Sequence, residues 1–142
     1  MERFKLIPAA HLFLIKDNKI LLLRRANTGY EDGNYSVPAG HLDGNETVTQ
    51  AMAREAFEEA GVIINPKDFT VMHVMHRQSK EERIDFFLTT SEWKGEPEIK
   101  ETDKCDDLSW FTLDSLPENV IPYVRFAIEN YKNNVLYSEF GW

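Results

Sequence analysis

The 142-residue sequence has one cysteine, no apolar run near membrane-spanning length, and a shortage of positive charge. Each shortage excludes something. A lone Cys105 cannot close an internal disulfide and fits a reducing compartment, so a cytoplasmic location is expected. The longest apolar stretches, "AAHLFLI" and "ILLL", fall far below the ~20 residues that cross a bilayer. Acidic Glu2 and Asp17, with no small-residue cleavage pattern after the first apolar run, speak against a signal peptide. Lys and Arg number 16 against 24 Asp and Glu, a net charge of −8. That balance disfavours a nucleic-acid polymer or an anionic membrane as partner. A small phosphorylated ligand remains compatible with it, because a few cations or a metal ion can reverse the field locally.

What is present reads as one ordinary globular domain over residues 1–142, with 42% hydrophobic and 28% charged residues and no internal repeat or linker. "AAHLFLIKDNKILLLRR" carries a hairpin signal, two apolar strands around "KDNK". The glycine-rich "NTGYEDGNYSVPAG" is a loop. A helix then starts at a cap on Asn45 or Thr47, runs to Ala60 and stops at Gly61. "FTVMHVMHR" and "RIDFFLTT" form a second strand pair around "QSKEE", and "LSWF" is a short strand after a polar loop. The last helix begins near Ile121 or Pro122. The aromatic tail "LYSEFGW" is expected to pack on its own domain. Strands, helix, strands, helix predicts an α+β fold, an α/β/α sandwich with a mixed sheet between helices.

The first helix contains a contradiction. Val48, Met52, Ala56 and Ala60 make an i+4 apolar stripe, with Ala51 beside it, which is the core face. Glu55, Glu58 and Glu59 crowd the helix end, where like charges repel and the macrodipole prefers cations. Arg54 can pair with Glu58 but cannot neutralise three carboxylates. Crowded hard oxygens are stabilised by a hard divalent cation such as Mg²⁺ or Mn²⁺, which shares its shell with substrate phosphates.

The segment Gly40–Val62 resembles the signature of the Nudix hydrolase family, Gly-x5-Glu-x7-Arg-Glu-U-x-Glu-Glu-x-Gly-U, with U a bulky aliphatic residue. Gly40, Glu46, Arg54, Glu55, Glu58, Glu59, Gly61 and Val62 fall in place. Seven of these positions, each at roughly 6% frequency, would coincide by chance on the order of once in a million such chains. Ala56 departs from the pattern at the first U position, which thins packing but touches no ligand. "ILLLRR", "SVPAGH" and "LSWFTLDSLP" resemble the flanks of small MutT-like members. The resemblance implies Mg²⁺-dependent (or Mn²⁺-dependent) hydrolysis of a nucleoside diphosphate linked to another moiety.

It further implies that Glu55, Glu58 and Glu59 hold metal, one of them serving instead as base, with the Gly40 carbonyl as a further ligand. Glu46 reads first as a structural residue and Arg54 as an orienter of its acidic neighbours. Of Arg24 and Arg25, strand alternation lets only one easily enter a cleft and bind phosphate. His41 and Asn119 are further substrate-binding candidates, Asn119 by reading a base edge, although it reads first as a loop-turn asparagine. His11, His73 and His76 read as strand residues rather than zinc ligands. Glu101 keeps a lesser claim as a further carboxylate. Trp110 and Phe111 are expected beneath the last helix. Because "HVMHRQSKE" lacks the marker proline or tyrosine of some subfamilies, a nucleoside triphosphate, oxidised or not, is the expected substrate. The partner is thus a small nucleotide, and the assembly a monomer or homodimer. A non-catalytic nucleotide-sensing or protein-binding domain is the alternative, disfavoured by the intact charged positions.

Overall fold

Strand β1 (Ile7–Phe13) explains the architecture, because Leu12 and Phe13 are both fully buried and so both of its faces are covered. The computed structural model describes all 142 residues. After β1 come β2 (Ile15–Lys16) and β3 (Lys19–Arg25), joined by a turn in which Asp17 and Asn18 take φ of 53° and 61°. Two left-handed residues are what a two-residue hairpin requires. The hairpin is smaller than its apolar pattern predicts. Only β2 pairs with β3, whereas β1 passes into a different sheet. A strand with no solvated face needs neighbours on both edges, and a local hairpin supplies one.

The remaining elements are β4 (Tyr35–Ser36), β5 (Ala39–His41), α1 (Val48–Ala60), a 3-10 turn, β6 (Thr70–Gln78), β7 (Glu82–Thr89), β8 (Cys105–Thr112), α2 (Pro122–Lys132) and β9 (Tyr137–Phe140). The main sheet has the order β5-β1-β7-β6-β9, with β1–β7 and β6–β9 parallel and the other pairs antiparallel. In the second sheet β3 pairs with β2, β4 and β8. Alternation along β1 divides the core. Ala10, Leu12 and Leu14 meet Met52, Ala56 and Ala60 of α1. Phe13 joins Met75, Phe87, Val124 and Ile128 on the α2 side. The fold is the expected mixed α+β sandwich.

Local expectations fare well where the signal is local. Thr47 caps α1 in a capping box with Gln50, and Gly61 closes it at φ 71° with its N–H donating to the Phe57 carbonyl. Pro122 opens α2. "LSWF" proves too short, since β8 begins at Cys105 and takes in Asp106 and Asp107, with Arg24 of β3 opposite Asp107. Phe111 packs toward α2 as expected, but Trp110, its neighbour on a strand, faces the α1 core. The tail folds back as β9 on β6, and the Trp142 indole N–H donates to the His76 carbonyl at 3.1 Å.

One polar network sits inside the main sheet. Asp85 is fully buried and accepts from Arg77 Nε at 2.6 Å and from His11 Nε2 at 2.9 Å. Burial opposes its charge, but those partners overcome the burial and hold its carboxyl at about 2. A carboxyl lowered on folding contributes stability above its ordinary pKa near 3.8, lost as pH falls toward 2. Asp85→Asn should therefore cost roughly 3–5 kcal/mol in denaturant unfolding near neutral pH, because Arg77 is left buried without its counter-charge. The same variant should lose the acid-sensitive part of the stability curve in that window.

Candidate active site

The acidic end of α1 lies against β5. Arg54 ties the helix to the preceding loop, donating to Glu46 Oε1 at 2.8 Å and to Glu55 Oε1 at 2.6 Å. It also reaches the His41 carbonyl at 3.3 Å and stands 3.6 Å from Glu58. Glu46 accepts the Asp43 N–H as well, so it braces the loop, and Arg54 orients acids. Glu58 is half-exposed. Glu59 turns inward and accepts the Ala39 N–H at 2.7 Å, with no cation paired to it.

Burial pushes the Glu59 carboxyl up to about 8 against the lowering by the Ala39 N–H, and repulsion from Glu55 and Glu101 adds to the rise. Burial also raises Glu55, despite Arg54 beside it. Glu101 acts on both, which brings the lesser candidate into the acidic group. Gly40 has a steric reason to be glycine. Any Cβ there would overlap the Glu55 side chain, whose carboxyl lies across the residue.

These donors fit a hard divalent ion by chemistry: oxygen ligands, only partly neutralised, two of them destabilised as anions by burial. Glu55, Glu58, Glu59 and the Gly40 carbonyl are the residues that would hold it, with Glu101 close by. The carboxylates do not themselves converge, and no three His, Cys, Asp or Glu side chains are gathered at ligand spacing.

Beyond β5 lies a cavity of about 550 Å³. Its floor follows from strand register. Ala9 of β1 pairs with His41 and with Asp85, and His11 pairs with Ala39 and Phe87, so these residues share one face of the sheet. Arg83 and Arg77 lie opposite each other on β7 and β6 and continue the same face. Tyr123 of α2 and Arg25 with Tyr30 complete the walls. Gly40, between Ala39 and His41, turns its missing side chain the other way, toward Glu55. One strand thus has the cavity on one side and the carboxylates on the other.

Of the two candidate arginines, Arg25 enters the cavity, held by the Tyr30 carbonyl at 2.8 Å and Thr28 Oγ1 at 3.1 Å. Arg24 turns outward to Asp106 at 2.7 Å, as alternation requires of one of the pair. His41 lines the cavity and accepts from Arg83. Asn119 does not reach the cavity: its side-chain amide donates to the Gly33 carbonyl at 2.8 Å and ties two loops. His73 bridges Val135 and Ser138, and His76 pairs with Glu82, both ordinary strand roles. His11 is buried but lines the cavity, a position its strand pattern did not disclose. Sequence reasoning also missed Arg77, Arg83, Lys80 and the two tyrosines. The signal was there in "HRQSKEER", a cation-dense hairpin in an acidic chain.

The NUDIX domain family profile matches residues 5–131. An ADP-ribose pyrophosphatase of Methanocaldococcus jannaschii is 33% identical over 106 residues, spanning 72% of this chain and 60% of that protein. An 8-oxo-dGTP diphosphatase of Proteus vulgaris is 33% identical over 98 residues, 68% of this chain and 85% of that protein. The crystal structure of a MutT NUDIX hydrolase from Burkholderia pseudomallei superposes with a TM-score of 0.81 at 28% identity, covering 89% of this chain and 98% of that one. No helix is long and apolar enough to cross a membrane.

Two outcomes follow from this geometry. A carboxyl raised on folding keeps a proton that the unfolded chain releases. Metal-free protein should therefore lose thermal stability as pH rises from about 4.5 to about 8, and Glu59→Gln should remove most of that loss in melts run in chelator, the remainder belonging to Glu55. Gly40→Ala should leave the melting temperature nearly unchanged, because Glu55 can swing aside. The displaced carboxylate should lower turnover by about a hundredfold.

Proposed function

The chain belongs to the Nudix family, and on that premise we propose that it is a divalent-metal-dependent hydrolase of nucleoside diphosphate-linked substrates. In the simplest case it cleaves a nucleoside triphosphate to the monophosphate and pyrophosphate. The observation that carries this reading is the set of under-neutralised carboxylates on α1 one strand away from a basic cavity. Divalent metal is a general requirement of the family, and Mg²⁺ is the ion these oxygen donors suit best. A bound ion would offset charge at phosphorus and acidify an attacking water.

The chain's own residues do the rest. Arg25, fastened at its Nε and one Nη, presents its remaining N–H groups to a phosphate without losing rotamer freedom on binding. Glu59, whose carboxyl is pushed by burial from the ordinary carboxylate range up to about 8, is suited to take a proton from water once it is ionised. Glu55 and Glu58 would hold the ion, and Arg54 keeps Glu55 from collapsing onto its neighbours. Gly40 leaves the carboxylate room. The rest of the substrate enters the cavity between Arg25 and Tyr123. The names of the relatives, one acting on an oxidised nucleoside triphosphate and one on ADP-ribose, support a nucleotide. A small soluble nucleotide as partner and a cytoplasmic setting follow from the same reading.

A panel of nucleoside triphosphates, nucleotide sugars and dinucleotides, assayed for phosphate or pyrophosphate release with and without Mg²⁺, tests the proposal. Turnover should vanish in chelator, and Glu58→Gln and Glu59→Gln should each lower it by roughly 10²–10⁴-fold with the fold intact. Silence across the panel, or wild-type turnover in either variant, would sink it in favour of a ligand-binding domain without catalysis.

A further inference from the structure

The cavity is lined in a way that a bare nucleobase does not explain. Nucleobase and other small-ligand pockets are mostly apolar with a few convergent polar groups. Here four of the lining side chains are cations, Arg25, Arg77, Lys80 and Arg83, in a protein of net charge −8. Arg25, at the end of β3, is accounted for by the diphosphate. The other three belong to the β6–β7 hairpin at the far wall.

That wall carries a conflict like the one on α1, with the sign reversed. Arg77 and Arg83 stand directly opposite in an antiparallel pair, an arrangement that repels. Asp85 resolves half of it by taking Arg77 in two hydrogen bonds. Arg77 is further committed to the face of Tyr123, 3.6 Å from the ring centroid. Arg83 gets no such partner. Its nearest carboxylate is Glu81, at 3.8 Å and itself exposed, and its Nη2 donates to the uncharged acceptor of His41. Burial and the Arg83 charge both lower the pKa of His41. The Nε of Arg83 is buried with no hydrogen-bond partner, and so is Nδ1 of His11 on the floor. Buried polar groups without partners are rare, and each costs free energy until something fills it. Lys80 adds a third, exposed charge on the turn at the rim.

We propose that this far wall is a subsite for a phosphate ester carried on the part of the substrate that enters the cavity, outside the hydrolysed linkage. Arg83 and Lys80 are its anchors, Arg77 and Asp85 hold the floor, and Arg83 Nε–H is the donor that awaits an oxygen. The inference rests on the hydrolase reading for the placement of the diphosphate at Arg25. It adds the substrate class: a nucleotide-linked diphosphate that carries a further phosphate ester outside the hydrolysed linkage.

Matched ligands that differ by one phosphate test it. Calorimetric titrations in chelator would compare nicotinamide adenine dinucleotide with its 2′-phosphate, and dephospho-coenzyme A with coenzyme A. The phosphorylated member of at least one pair should bind about tenfold tighter, the worth of one charge-assisted contact set. The preference should fall to near unity in Arg83→Met, and be reduced in Lys80→Met, whose exposed site keeps the test readable should the arginine variant unfold. Equal affinities within both pairs, no binding by any of the four, or a preference that survives both variants would overturn the subsite. Hydrolysis in Mg²⁺ is scored separately. A surviving affinity preference without hydrolysis would sink the hydrolase reading and support the subsite, and hydrolysis without preference would do the reverse.

Discussion

Successive residues of a strand face opposite ways, and along Ala39–His41 that rule decides where each charge of the site goes. Ala39 and His41 turn to the sheet face that floors the cavity, and Gly40 turns to α1, where its lack of a side chain makes space for Glu55. The Ala39 N–H reaches the other way to Glu59. A strand of three residues therefore separates an acidic compartment from a basic one while touching both. Shift its register by one and Gly40 would face the cavity, with a side chain thrust into the carboxylates.

The two compartments are built alike. Each places like charges at spacings that repel, then neutralises only part of the group from within. On α1 the internal counter-charge is Arg54, which takes Glu46 and Glu55 and leaves Glu59 buried as a reluctant anion. On the hairpin it is Asp85, which takes Arg77 and leaves Arg83. In both places the partner lacking inside the protein has the chemistry of something outside it, a cation in one case and a phosphate in the other. Stability given up at such positions is a common mark of binding sites.

The acidic half was legible in the sequence because its geometry is local. One helix delivers Glu55, Glu58 and Glu59, the caps at Thr47 and Gly61 set its ends, and spacing alone reports the repulsion. Gly40 could be flagged by its motif, although the steric reason became visible only with Glu55 lying over it. The basic half is assembled from pairings remote in sequence, and no window along the chain contains it. The hairpin around "QSKEE" was nevertheless readable as a pair of strands, and counting outward from its turn would have set Arg77 against Arg83. That pairing does not say which face of the strands is covered, and only the packing of α2 and β3 turns the arginines into the lining of a cavity. The hairpin predicted at "KDNK" forms, but only its two residues nearest the turn, Ile15 and Lys16, pair with β3, because a good local turn does not say which sheet the longer arm will join. Asn119 read first as a loop-turn asparagine and second as a base reader, and in the structure its side chain clamps a loop.

The parallel pairing of β1 with β7 has a consequence for how the molecule comes into being. His11 and Asp85, which meet on the cavity floor, are 74 residues apart, and β9 must return past α2 to lie along β6. Contacts this distant carry a loop-closure entropy that is met before any burial rewards it, which slows folding relative to a helical chain of the same size. During synthesis, α1 and its caps can form while the main sheet still lacks its middle. All the local contacts of the acidic helix are thus synthesised before those of the cavity, and the first strand, apolar on both faces, leaves the ribosome ahead of its parallel partner.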